Sequence, residues 1–81
     1  MQTSQGAFNE HRIKCDSLYT MFIENRENIY DERFRQINTG FEAARALAEK
    51  YERAGDVKYA LEYIHMVQRL ENDVTAVLRG I

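Results

Sequence analysis

The side chains best suited to nucleophilic or metal chemistry in this sequence are His11 and Cys15, which lie four positions apart. On a helix, residues at i and i+4 share a face, so an imidazole and a thiol would lie side by side. The pair supplies two soft ligands, whereas a structural zinc ion requires four. We therefore interpret the pair as a partly buried histidine beside a small apolar cysteine, with a two-ligand metal contact as the alternative.

Catalysis by Cys15 would require a lowered thiol pKa and groups that stabilise developing charge. Arg12 and Lys14 are near in sequence, but no third catalytic group and no loop for an oxyanion hole can be identified. The glycines are scattered at positions 6, 40, 55 and 80, which excludes a glycine-rich phosphate loop. We predict no catalytic, cofactor-binding or metal-binding residues, and a chain that is not an enzyme.

The charge balance disfavours nucleic acid as a partner. The chain has 11 Lys+Arg and 13 Asp+Glu, for a net charge of −2, whereas nucleic-acid modules usually carry a basic face. A regulatory nucleic-acid-binding protein stays an alternative, and the residues that would serve it are Arg12, Lys14, Arg26, Arg33 and Arg35.

Membrane insertion and secretion are also disfavoured by the sequence. No apolar run approaches the ~20 residues that span a bilayer, and residues 1–9 lack the basic-then-apolar order of a signal peptide. A single cysteine cannot form a disulfide framework. These features predict a cytoplasmic protein with no membrane contact.

Apolar residues recur at helical spacing over residues 8–51 without a change of phase. At 100° per residue they fall within an arc of roughly 100°, which is the stripe of an amphipathic helix. We call this set the apolar stripe; its members are Phe8, Cys15, Tyr19, Phe22, Ile29, Tyr30, Ile37, Phe41, Ala44, Ala48 and Tyr51.

The stripe predicts a long first segment over about residues 8–54, which would be roughly 70 Å long as one helix. The chain contains no proline, so nothing forces this helix to end. A bend near residues 25–28 is one alternative, because Asn28 can cap a helix. A bend near residues 38–40 is the other, because Thr39 and Glu42 fit a capping box.

A helix end followed at once by a helix start is predicted at residues 54–56. Gly55 can adopt the left-handed conformation that ends a helix, and Asp56 can cap the next one. The last helix, about residues 57–79, carries apolar residues over about 220°, more than one neighbour requires. It should therefore contact two neighbours, or one neighbour and a partner.

These patterns predict an all-α fold in a single helical domain over residues 1–81, with residues 1–7 disordered. The first architecture is a three-helix bundle. The second is an antiparallel helical hairpin that leaves the first half of the apolar stripe bare. A domain of this length has a small margin of stability, so partner binding or oligomerisation is expected.

Residues 43–72 resemble a single tetratricopeptide repeat. The resemblance depends on Leu47, Tyr51, Gly55-Asp56, Ala60-Leu61 and Leu70. Ala44, Ile64 and Asn72 depart from the family pattern, which prefers a bulky residue, an aromatic residue and proline there. The resemblance implies a groove that holds a helix or an extended peptide. In size and helicity the chain is also similar to short helical chaperones of secretion subunits.

The predicted function is a protein–protein interaction module that binds a partner helix or itself, through coiled-coil packing of the apolar stripe. The alternative is a small cytoplasmic chaperone or adaptor for a secreted or structural protein. The expected partner is a protein, either a second copy of the chain in a homo-oligomer or another protein in a hetero-complex. The predicted partner-binding residues are Phe8, Cys15, Leu18, Tyr19, Phe22, Arg26, Tyr59, Tyr63, Met66 and Leu70.

Overall fold

The chain folds into three α-helices that pack as an all-α bundle. The computed structural model describes residues 4–80, and for Ser4 the backbone alone. Helix α1 is Ser4–Glu24, α2 is Asp31–Ala54 and α3 is Val57–Arg79, and a short 3-10 turn, Arg26–Asn28, joins α1 to α2. The helices run up, down and up, so α2 is antiparallel to both neighbours. No strand occurs within residues 4–80.

Helix α1 begins earlier than expected. The sequence predicts disorder over residues 1–7, but residues 4–7 are helical, and residues 1–3 lie outside the described part of the chain.

The chain bends between α1 and α2, in a segment that we call the elbow (residues 25–30). The backbone N–H and the side-chain amide of Asn25 both donate to the carbonyl of Met21, at 3.2 and 2.9 Å. Ile29 and Tyr30 are extended, with ψ angles of 131° and 132°. The bundle measures 39 × 22 × 16 Å. The bend is confirmed, and the alternative of one straight helix over residues 8–54 is wrong.

The groups that fix the elbow differ from those expected. Asn28 does not cap α2, because the N-cap is Tyr30, which makes no side-chain cap hydrogen bond. Asp31 and Glu32 lie in the first turn of α2, where negative charge is favourable near the positive helix end. The guanidinium of Arg26 lies 4.0 Å from the centroid of the Phe34 ring, which ties the elbow to α2.

Helix α2 continues through residues 38–40, so the second predicted bend is wrong. Thr39 donates its hydroxyl to the carbonyl of Arg35 at 3.0 Å instead of capping a helix. Gly40 has a packing role: a Cβ atom there would lie 2.9 Å from Cδ2 of Leu70. Glycine therefore allows α2 and α3 to approach closely at this point.

The turn between α2 and α3 is confirmed as predicted. Gly55 has φ = 68°, in the left-handed region, and its N–H donates to the carbonyl of Tyr51 at 2.7 Å. Asp56 accepts a hydrogen bond from the backbone N–H of Lys58 at 3.0 Å. Glycine and an N-cap side chain therefore end one helix and start the next.

The wide apolar arc of α3 is explained by two neighbours, since α3 packs between α1 and α2. Aromatic rings join the helices at both ends of the bundle. Phe8 lies 4.6 Å from Tyr51 and 5.0 Å from Tyr63, between ring centroids. Phe22 stacks on Phe34 at 4.3 Å. The buried core consists of Phe8, Cys15, Leu18, Phe22, Ile29, Ile37, Phe41, Ala44, Ala48, Tyr51, Ala60, Tyr63, Val67, Leu70 and Val74.

The close approach at Gly40 predicts that an alanine there stabilises the protein only when Leu70 is shortened. Alanine is better than glycine by about 1 kcal/mol in a helix interior, but its Cβ would displace Leu70. Gly40→Ala should therefore gain little in the parent chain and up to about 1 kcal/mol in a Leu70→Ala background. Urea unfolding of the four chains of this cycle measures the difference, and equal gains in both backgrounds would contradict it.

Candidate functional site

The structure places many of the predicted partner-binding residues inside the bundle. The buried members are Phe8, Cys15, Leu18, Phe22, Tyr63 and Leu70. The prediction assumed a bare first half of the apolar stripe, whereas the elbow folds that half against α2 and α3. In this conformation these side chains contact their own chain and are at most 6% exposed.

The other predicted partner-binding residues keep some exposure. Tyr19, Tyr59 and Met66 are partly buried against the core, and Arg26 is exposed. Tyr19 lies under the guanidinium of Arg45, 4.3 Å from its ring centroid. Their role in partner binding stays a prediction.

A groove of about 240 Å³ separates α1 from α2. Charged side chains form its walls, and the Nη1 atom of Arg12 donates to Oε1 of Glu52 at 2.6 Å across it. Because this ion pair is about half exposed, it contributes little to stability. The groove is lined by Arg12, Cys15, Asp16, Tyr19, Arg45, Ala48, Glu49, Glu52 and Tyr63.

Cys15 and Tyr63 form the floor of this groove. Burial raises the pKa of the Cys15 thiol, and the hydrogen bond donated by Tyr63, which acts in the opposite direction, is the smaller effect. Burial also raises the pKa of the Tyr63 hydroxyl, as does the neighbouring Cys15. A reactive cysteine needs a lowered pKa, so the environment of Cys15 suits a core residue and not a nucleophile.

His11 does not extend this pair into a site. Its Nδ1 atom lies 2.8 Å from the carbonyl oxygen of Ala7, one turn earlier on α1. Within residues 4–80, no group of three or more His, Cys, Asp and Glu side chains is arranged to hold a metal ion. The contact therefore stabilises the ring on its own helix.

A second groove, which we call the seam groove, lies between α2 and α3. It consists of two adjoining cavities of about 260 and 190 Å³ that share Met66 and Arg69. Leu47 and Leu70 contribute apolar surface, and Arg33 pairs with Asp73 at 3.8 Å near one end. The remaining side chains that line it are Gln36, Glu62, His65 and Asp73, together with Gly40.

Met66 and Leu70 were predicted to bind a partner, but Leu47 and Arg69 were missed. Leu47 lies at the edge of the apolar stripe, where a helix residue faces a second neighbour. This position beside the stripe is the sequence feature that could have identified Leu47 as a groove residue. Arg69 follows Met66 by three positions, and only the fold shows that both border the same two cavities.

Large apolar side chains are also exposed outside the grooves. They lie on α1, on α3 and in the elbow: Ile13, Met21, Ile23, Tyr30, Val57 and Leu61. Apolar residues exposed singly are normal on soluble surfaces and do not define an interface. Among the helices described, none combines the length and apolar character needed to cross a bilayer.

Comparison of the chain with family models, with curated proteins and with solved structures finds no match. The resemblance of residues 43–72 to a tetratricopeptide repeat stays a prediction.

The burial of Cys15 predicts slow reaction with thiol reagents. Because the thiol is buried and its pKa is raised, the folded chain should react with a disulfide reagent about a hundredfold more slowly than the urea-unfolded chain. Absorbance of the released thiolate near pH 8 measures both rates. Equal rates would show that the groove exposes a reactive thiol.

The same two groups predict loss of stability at alkaline pH. Above the ordinary thiol pKa of 9.0, Cys15 ionises in the unfolded chain but keeps its proton when folded. Unfolding then releases protons, so the free energy of unfolding falls as pH rises. Tyr63 acts in the same direction at higher pH.

A double variant, Cys15→Ala with Tyr63→Phe, should lose less stability than a control between about pH 8 and about pH 10. Tyr30→Phe is that control, because Tyr30 is exposed. Urea unfolding at each pH supplies the slopes. Identical slopes in the two chains would contradict the assignment.

Proposed function

We propose that this chain is a non-enzymatic protein-interaction module that holds an amphipathic helix of a partner protein in the seam groove. The observation that carries the proposal is the junction of the two cavities, where Met66 and Arg69 border both. A groove between two packed helices suits a third helix laid along it.

The apolar part of the seam groove supplies adaptable contact area. Met66 is half-buried at the junction, and Leu47 is half-buried on the opposite helix. Methionine is flexible and polarizable, which is why it is common on surfaces that accept partner helices. Leu47 and Met66 together therefore favour a partner with an apolar face.

The charges along α3 favour a partner helix that carries a negative charge. Arg69 forms no ion pair with any residue in the described part of the chain, whereas Asp73 is paired with Arg33. An exposed arginine at the centre of a groove is well suited to a carboxylate on a partner, and arginine is enriched at binding hot spots. We infer that the bound helix places an Asp or Glu opposite Arg69.

The proposal retains a cytoplasmic location and a protein partner in preference to nucleic acid. Close alternation of charges and the net charge of −2 support the second point. The resemblance of residues 43–72 to a tetratricopeptide repeat implies a groove that holds a helix. Leu47, Met66 and Arg69 all lie in this segment, which supports a helical partner. Chaperone and adaptor roles are special cases of the same binding activity.

Binding can be tested with amphipathic helical peptides selected from a displayed library on the purified chain. Met66→Lys and Arg69→Glu should each weaken a selected peptide by at least about tenfold, because they charge the apolar floor and reverse the central cation. Ile13→Lys is the matched control, since Ile13 is 70% exposed on α1. Fluorescence anisotropy of the labelled peptide gives the dissociation constants.

A peptide with Lys in place of the acidic residue opposite Arg69 should recover binding to Arg69→Glu. No selected binder, or binders that Ile13→Lys weakens as much as Met66→Lys, would overturn the proposal. Circular dichroism confirms that each variant remains helical.

A further inference from the structure

The two connections between helices differ in how strongly the sequence specifies them. The α2–α3 turn depends on Gly55, the only residue with positive φ in the described part of the chain. The elbow has no glycine and no proline, and the N-cap of α2 makes no side-chain hydrogen bond. Nothing in its residue types prevents these residues from joining a continuous helix.

The apolar stripe also continues through the elbow in one phase. Ile29 and Tyr30 fall within the same arc as Phe22 before them and Ile37 after them when each residue advances 100°. The two residues that turn the chain have ψ angles of 131° and 132°. Changing these to helical values near −42° removes the main departure from a helix.

A straightened chain could not remain alone. It would carry α1 away from α2 and α3 and expose Phe8 and Phe22, which are 1% and 0% exposed in the bundle. A surface of the same shape and chemistry is available on α2 and α3 of a second straightened copy. Two antiparallel copies can then bury each other's α1 with the contacts that the bundle already uses.

We propose that two copies of this chain exchange α1 through straightening of the elbow, and so form an elongated dimer. Residues 4–54 then form one helix about 76 Å long. The ion pairs Arg12–Glu52 and Lys14–Glu71, which now join helices of one chain, form between the two copies. The exchange leaves α2 against α3, so the seam groove persists and this proposal is independent of its function.

The bent form has its own stabilising contacts. Arg26 lies over Phe34, and Asp31 and Glu32 occupy the first turn of α2, where a continuous helix would lose their favourable end position. The monomer therefore dominates in dilute solution. Because the contacts of α1 with α2 and α3 are common to both forms, the two forms differ mainly at the elbow, and mass action raises the share of dimer as concentration rises.

Variants at the elbow test the exchange. Asn25→Ala with Asn28→Ala removes the amide that closes α1 and raises helix propensity, so the dimer dissociation constant should fall at least about tenfold. Asp31→Pro should hold the monomer: proline suits the first helical position, and Tyr30 already has the extended ψ that proline requires before it. In a continuous helix the same proline would clash with the preceding turn.

Asp31→Ala is the matched control, because it removes the same carboxylate but permits the straight helix. Light scattering and small-angle X-ray scattering over a range of concentrations, after refolding, give mass and length. The proposal is supported if the double alanine variant and Asp31→Ala form an elongated dimer while Asp31→Pro stays monomeric. A double alanine variant that is monomeric throughout, a compact dimer, or a dimer that persists in Asp31→Pro would overturn the proposal.

Discussion

The structure depends on one constraint: a long apolar stripe must be buried, and few residues are available to cover it. The stripe keeps its phase over residues 8–51, whereas α3 has only 23 residues and can cover half of it as a straight helix. The chain resolves this by bending at residues 25–30, so that α1 folds back and both halves of the stripe share α3. Burial of Phe8, Phe22 and Phe41 follows from that bend, and the bend also gives the wide apolar arc of α3 a second neighbour.

Much of the fold follows from residue patterns that act locally. The helical class, the turn at Gly55 and Asp56, and the two-sided contact of α3 are all predictable, because each depends on spacing or on a residue with a strong backbone preference. The elbow is less predictable, because the residue pattern is equally compatible with one straight helix, a bend near residues 25–28 and a bend near residues 38–40. Its extended residues, Ile29 and Tyr30, carry no signal of their own, since tertiary burial of α1 stabilises the bend and their residue types do not specify it.

The candidate site was less predictable for the same reason. An apolar helix face indicates burial without indicating whether the same chain or a partner supplies the covering surface, so Phe8, Cys15 and Leu18 were assigned to a partner although they are core residues. Leu47 and Arg69 border the seam groove because α2 and α3 pack side by side, and these helices approach each other closely at Gly40. That approach depends on residues 30 positions apart in the chain, Gly40 and Leu70, which no local pattern links.

The central claim is that the chain closes its own apolar stripe by folding α1 back against α2 and α3. Small-angle X-ray scattering of the dilute parent chain tests it most directly, since bundle and hairpin differ greatly in length. The account predicts a compact monomer with a radius of gyration close to the 13.2 Å of the Cα trace. A dilute particle roughly 70 Å long, the length of an uninterrupted helix over residues 8–54, would contradict it.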